Sequence, residues 1–201
     1  MNRIASLLLI AGLALWSPAA AFSAETAEGV LTGIKGSGEV KKRGEKEWID
    51  AYDKMKISSG DMVSTGIDGK ATMLFKNSET KIQPLTQFAI GRSAVQESEM
   101  YTELFLLSGK ISSHVFKTKL TGIKNKFNVV TPTAVVGVRG TIQTVEAYPG
   151  MGPTADIKDG KGYAAPLPAD KFPPAVLELL GLLPDTGISR DTETAKGADR
   201  K

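Results

Sequence analysis

Six basic side chains and no acidic one lie between Glu103 and Glu146: Lys110, Lys117, Lys119, Lys124, Lys126 and Arg139. The chemistry open to such a run is electrostatic attraction of anions rather than bond making or breaking. FKTKLTGIKNKF is its densest part. If Lys117, Lys119, Lys124 and Lys126 share a face, that face attracts an anionic polysaccharide, lipid headgroups or an acidic protein. The same lysines also suit a solvated sheet edge, where charge prevents edge-to-edge aggregation.

The second stretch with chemical promise is TPTAVVGVRGT, from Thr131 to Thr141. Read as a strand continuing to Val145, it puts Ala134, Val136, Val138, Gly140 and Ile142 on an apolar core face. Val135, Gly137, Arg139, Thr141 and Gln143 fall on the other face. Gly137 and Thr141 flank Arg139 with small side chains, leaving room for a guanidinium to lie flat along the sheet. Its five donors would then tie backbone carbonyls and turn hydroxyls together as a structural latch. Arg139 clamping a ligand carboxylate is the alternative. Thr131, Pro132 and Thr133 read as a bend with hydroxyls available to the backbone.

Other chemistry finds little material. The chain has no cysteine, which excludes disulfides and thiol redox chemistry. Its single histidine, His114, has no evident partner. No metalloprotease, serine-elbow, Walker or EF-hand pattern occurs, so the expectation is no enzyme, no cofactor and no metal. The close glycines of GIKGSG lack the Lys-Ser/Thr ending of a phosphate loop and read as a turn. Asp61, after Gly60, is expected to brace its turn through side-chain to backbone hydrogen bonds. LPDTG, at Leu183 to Gly187, lacks the apolar stretch that a sortase signal needs and reads as a proline turn. The net charge of +3 is too small to argue for nucleic acid.

The elements that must position these residues are strands. Residues 1–24 read as a signal peptide: Arg3, an apolar run from Ile4 to Trp16, then small residues, with Ala19, Ala21 and Ser23 suiting cleavage. As a helix that run spans about 20 Å, short of a bilayer core of about 30 Å. No later stretch is apolar enough to span a membrane. The expected location is therefore periplasmic or secreted. From Val30 to Val145, turns such as GSGEV, SSGDMV, DGKATMLF, KNSETKI and LSGKISS recur at strand spacing. Between them side chains alternate: Ala71, Met73 and Phe75 share a face opposite Thr72 and Lys76. The expected fold class is all-β, a single twisted solenoid-like or rolled-sheet domain over residues 29–147. Most of the ten prolines lie from Pro149 onward, so 148–184 reads as an extended, irregular extension. A short apolar helix is expected at 174–183, either capping the β domain or docking to a partner. Residues 185–201 read as a disordered polar tail.

These pieces occur in an order that resembles the FecR domain of bacterial envelope proteins. The resemblance runs from about Gly29 to Val145: GSGEV, Trp48, SSGDMVSTGIDGKATMLF, ETKIQPLTQFAI, ELFLLSGKI and FNVVTPTAVVGVRGT. It implies an all-β, solenoid-like periplasmic domain. In the iron-transport regulators that name the family, such a domain follows a membrane helix and a cytoplasmic anti-sigma region, and helps relay a signal from an outer-membrane receptor. Here only Met1, Asn2 and Arg3 precede the apolar run, so no anti-sigma region is expected. The functional expectation is an exported binding module that engages an envelope protein or anionic glycan. A structural or self-associating β scaffold is the alternative, and a cryptic hydrolase would need a carboxylate pair.

Overall fold

The computed structural model describes residues 29–96, 99–117, 124–158 and 160–167. The signal peptide, the 174–183 helix, the polar tail and Lys119 lie outside these residues. The described chain is all-β, a fourteen-stranded sheet curled into a half-barrel, with no helix among the described residues. Its strands are β1 (Gly29–Lys35), β2 (Gly38–Lys41), β3 (Trp48–Asp50), β4 (Met55–Ile57), β5 (Met62–Thr65), β6 (Lys70–Phe75) and β7 (Ser78–Ile82). They continue with β8 (Gln87–Gln96), β9 (Glu99–Val115), β10 (Lys124–Val130), β11 (Ala134–Arg139), β12 (Ile142–Ala147), β13 (Thr154–Lys158) and β14 (Lys161–Pro166).

The spine is β9. Its first half pairs antiparallel with β8 and parallel with β10, extending through β11 to β14 on one side and through β5 and β2 to β3 on the other. Its second half pairs with β7 and β12, in a layer that runs from β4 through β1 and β6 to β13. Between the halves, Gly109 has φ 99° and lies against the Thr86 backbone, where no larger residue would fit. The chain bends there and passes from one layer to the other.

The two layers enclose a core that includes Leu31, Met73, Phe88, Leu104, Leu106, Ile111, Phe127, Val129 and Val145. Burying each such side chain contributes roughly 1.5–3 kcal/mol. The alternation of Ala71, Met73 and Phe75 is realised: all three are buried. Gln143 also points inward from β12, and among the described residues neither of its amide atoms has a partner, the kind of place internal water occupies.

Two expectations change. Arg139 to Ile142 is not continuous strand: Gly140 takes φ 59°, β11 ends, and β12 starts in the other layer. The alternation therefore resets, leaving Ile142 exposed and Gln143 buried. The segment after Ala147 is not irregular throughout. It forms β13 and β14, which pair with β12 and β11 and carry the sheet to Pro166.

Candidate functional site: a cationic, tyrosine-lined cleft

Register places the outer face of the β8–β14 layer in rows. Met62, Ala89, Phe105, Val130 and Val135 are successive cross-strand partners. With Trp48, Leu107 and Leu167 they build a second apolar cluster. The next outward-facing row is polar: Arg92, Glu103, Asn128, Gly137 and Tyr163. Beyond it Tyr101 lies beside Lys126, Arg139 beside Lys161, and Glu99 beside Lys124.

At this charged end opens a cleft of about 510 Å³, lined by Tyr101, Lys126, Asn128, Arg139, Lys161 and Tyr163 over a floor of Gly137, Val138 and Gly162. That volume is within the range of small-ligand sites, about 300–1,000 Å³. The Tyr163 ring packs over Gly137, and a Cβ there would come within 2.3 Å of a ring carbon.

A chain of hydrogen bonds fixes the walls. The Tyr163 hydroxyl donates to Asn128 Oδ1 at 3.3 Å, Asn128 Nδ2 donates to the Tyr101 hydroxyl at 3.1 Å, and Tyr101 donates to Glu103 Oε2 at 2.8 Å. Half-burial and the Glu103 carboxylate push the Tyr101 phenol up to about 12, so it stays a neutral donor. The Arg92 guanidinium lies 5.8 Å from the centre of the Tyr101 ring, within cation–π range. Lys126 Nζ pairs with Glu99 Oε2 at 2.7 Å. That hydrogen bond, with the charges of Lys126, Lys124 and Arg139, holds the Glu99 carboxyl below its usual range.

Five cations, Arg92, Lys124, Lys126, Arg139 and Lys161, thus surround two carboxylates, Glu99 and Glu103. Parallel pairing of β9 with β10 brings those carboxylates, which precede the basic run in sequence, against it. The surplus is positive, and its donors converge with two tyrosines on one concavity. Such a site can hold an anionic group against an aromatic surface. Glu99, depressed and ion-paired, is the opposite of a proton donor poised for neutral pH. Among the described residues no group of three or more His, Cys, Asp or Glu side chains is placed to hold a metal ion.

The four lysines singled out from sequence separate. Lys126 lines the cleft, and Lys124 lies two residues before it on β10, beside Glu99. Lys117 is exposed past the end of β9, its stem against Gly140. Lys119 lies outside the described residues.

Arg139 is not a latch. It is exposed, its guanidinium makes no hydrogen bond among the described residues, and it lines the cleft. The space over Gly137 holds Tyr163 rather than the guanidinium. Hydroxyls do the latching. Thr131 is fully buried; its Oγ1 accepts from Ala134 N and donates to Ala134 O, both at 3.0 Å. Thr141 Oγ1 donates to the Lys158 carbonyl, and the Thr141 carbonyl accepts from Val115 N at 2.9 Å. Pro132 and Thr133 form the exposed bend, where the Thr133 carbonyl receives Leu167 N. Gly140 supplies the left-handed turn.

Asp61 braces its turn as expected, with side-chain oxygens taking Arg43 N at 2.9 Å and Ser58 N at 3.0 Å. His114 is exposed, with its ring edge-on to Phe116. Tyr101, Asn128, Lys161 and Tyr163 were missed from sequence. Alternation of Glu99, Tyr101 and Glu103, and of Lys124, Lys126 and Asn128, could have marked two outward faces.

No family model, curated protein or solved structure matches this chain. The reading of the site therefore rests on its own geometry. No helix among the described residues is long and apolar enough to cross a membrane.

Proposed function

We propose that this chain is an exported, non-enzymatic binding module of the FecR type that engages an anionic envelope partner through the cleft. The observation that carries the reading is the cation surplus converging with Tyr101 and Tyr163 around one concavity. Arg139 is the centre of the contact, with Lys126 and Lys161 beside it and Lys124 at the rim. The signal peptide, the periplasmic or secreted location, the solenoid-like likeness and the 174–183 helix belong to the same proposal. So does the absence of a cofactor.

The test is binding of the purified chain to immobilised polyglutamate and polygalacturonate over a salt series. Affinity falls as salt rises, because exposed charges carry the contact. The double reversal Arg139→Glu with Lys161→Glu weakens binding by about a hundredfold, as expected for removing two contacts and adding repulsion. Binding to neither polyanion, or undiminished binding by the double variant, would remove the proposal. A self-associating β scaffold is the second reading, favoured by the exposure of β13 and β14 at sheet edges. It predicts concentration-dependent assembly without any added partner.

A further inference from the structure

The cleft lies against the margin of the sheet. β14 pairs with β11 on one side, and all six of its residues are exposed. Which of its backbone groups face outward follows from register. Leu167 N donates to Thr133 O, one step beyond the Ala134↔Pro166 pair on each strand. Ala134 and Pro166 are therefore a non-hydrogen-bonded pair, and the pairing alternates from there. Lys161, Tyr163 and Ala165 turn their N–H and C=O toward β11. Gly162 and Ala164 turn theirs to the other edge, which pairs with no strand among the described residues. Pro166, which lacks an N–H, also falls at an outward position, where proline leaves the β11 ladder whole.

The other margins differ. At β4 the Lys42 amine is bonded to the Lys56 carbonyl at 2.5 Å. β13 carries Asp156, beside Lys158. β14 alone adjoins the cleft. Its outward-facing side chains, Lys161 and Tyr163, line that cleft, and Arg139 is Lys161's partner one strand further in. A strand added to β14 would run about 4.8 Å away and send alternate side chains over the same face.

We infer that the partner is an acidic extended peptide segment that pairs with the open edge of β14 and sets its carboxylates against Lys161 and Arg139. This rests on the reading of the cleft as an anion site and names the partner's class. Backbone pairing supplies affinity; the cations and Tyr163 supply selectivity for acidic residues at alternate positions. A second copy paired β14 to β14 lacks that match, because β14 itself carries no acidic side chain.

The experiment compares three probes on the full chain. The first is a short peptide alternating glutamate and threonine. The second is the same peptide N-methylated at alternate residues, made in both registers, which keeps charge and removes donors. The third is polygalacturonate. The expected result is peptide binding that weakens about tenfold or more on N-methylation in one register only, the size of a lost backbone hydrogen bond or two. Ala164→Pro, which removes an outward N–H, weakens the peptide by a similar factor and leaves polygalacturonate binding unchanged. Equal binding of all peptides, insensitive to Ala164→Pro, overturns strand pairing while leaving the anion site standing. Preference for polygalacturonate over the peptide assigns the cleft to a glycan and overturns the inference. Binding to no probe overturns the anion site and the inference together. The N-methylated peptides decide the outcome even if Ala164→Pro fails to fold.

Discussion

Two charged regions of this molecule use the same ingredients to opposite ends. Around Asp61, which is 3 % exposed, the carboxylate and the Lys42 amine are both consumed internally. The carboxylate takes the backbone N–H groups of Arg43 and Ser58 and the Lys42 amine at 2.7 Å, and Lys42 also reaches the Lys56 carbonyl. Around the cleft, one ion pair and one tyrosine–carboxylate bond leave cations in surplus, with Arg139 exposed. The first arrangement closes on itself and ties β2, β4 and β5 together. The second points its unspent charge at solvent beside an aromatic wall. Charge that is satisfied within the fold stabilises it; charge held in surplus on a concave face is available to a partner.

The sharpest way to test that contrast is to remove Asp61. Asp61→Ala orphans two backbone donors and strips Lys42 of its carboxylate partner, a loss of about 3 kcal/mol. Chemical denaturation should show it, with polyanion affinity unchanged under conditions where the variant is folded. A stability change within the small range of a surface substitution would collapse the distinction from the structural side.

Gly137→Val acts on the other region. A side chain there displaces the Tyr163 ring, at an overpacking cost of about 2 kcal/mol. It also spoils the cleft, so thermal melting and polyanion binding should both respond. Loss of stability with binding intact would separate Tyr163 from the site.

The smallest effect comes from acid. The Glu99 carboxyl lies below its ordinary value of 4.5 in the folded chain, chiefly through its hydrogen bond with Lys126. A depressed carboxylate contributes stability that is fully present above its unfolded value and is lost as pH falls through the folded one. Glu99 is only partly buried, so the contribution is modest. Melting curves of the native chain and Glu99→Gln should converge as pH drops below 4.5. Curves that stay parallel would mean that Lys126 is no better held than any other surface lysine.

What could be read from sequence follows a physical divide. Asp61 after Gly60, Thr131 before Pro132, and the alternation of Ala71, Met73 and Phe75 depend on neighbours in the chain, and those readings hold. The cleft depends on pairings between distant residues. Nothing local reveals that β9 and β10 run parallel, bringing Glu99 against Lys126, or that Tyr163 settles on Gly137. Of the two tasks open to Arg139, the latch fails, because the turn at Gly140 is invisible to a period-2 reading and Tyr163 covers Gly137. β13 and β14 were hidden by the prolines around them, although Pro166 sits at an outward edge position where a strand tolerates one.

The central claim is that anions bind at the cleft and nowhere near Asp61. Amide chemical-shift mapping during a polyglutamate titration tests it most directly. The account predicts salt-sensitive shifts at Lys126, Asn128, Gly137, Arg139 and Lys161 to Tyr163, with Lys42, Arg43 and Asp61 unmoved. Shifts centred on Lys42 and Arg43, or none at all under low salt, would contradict it.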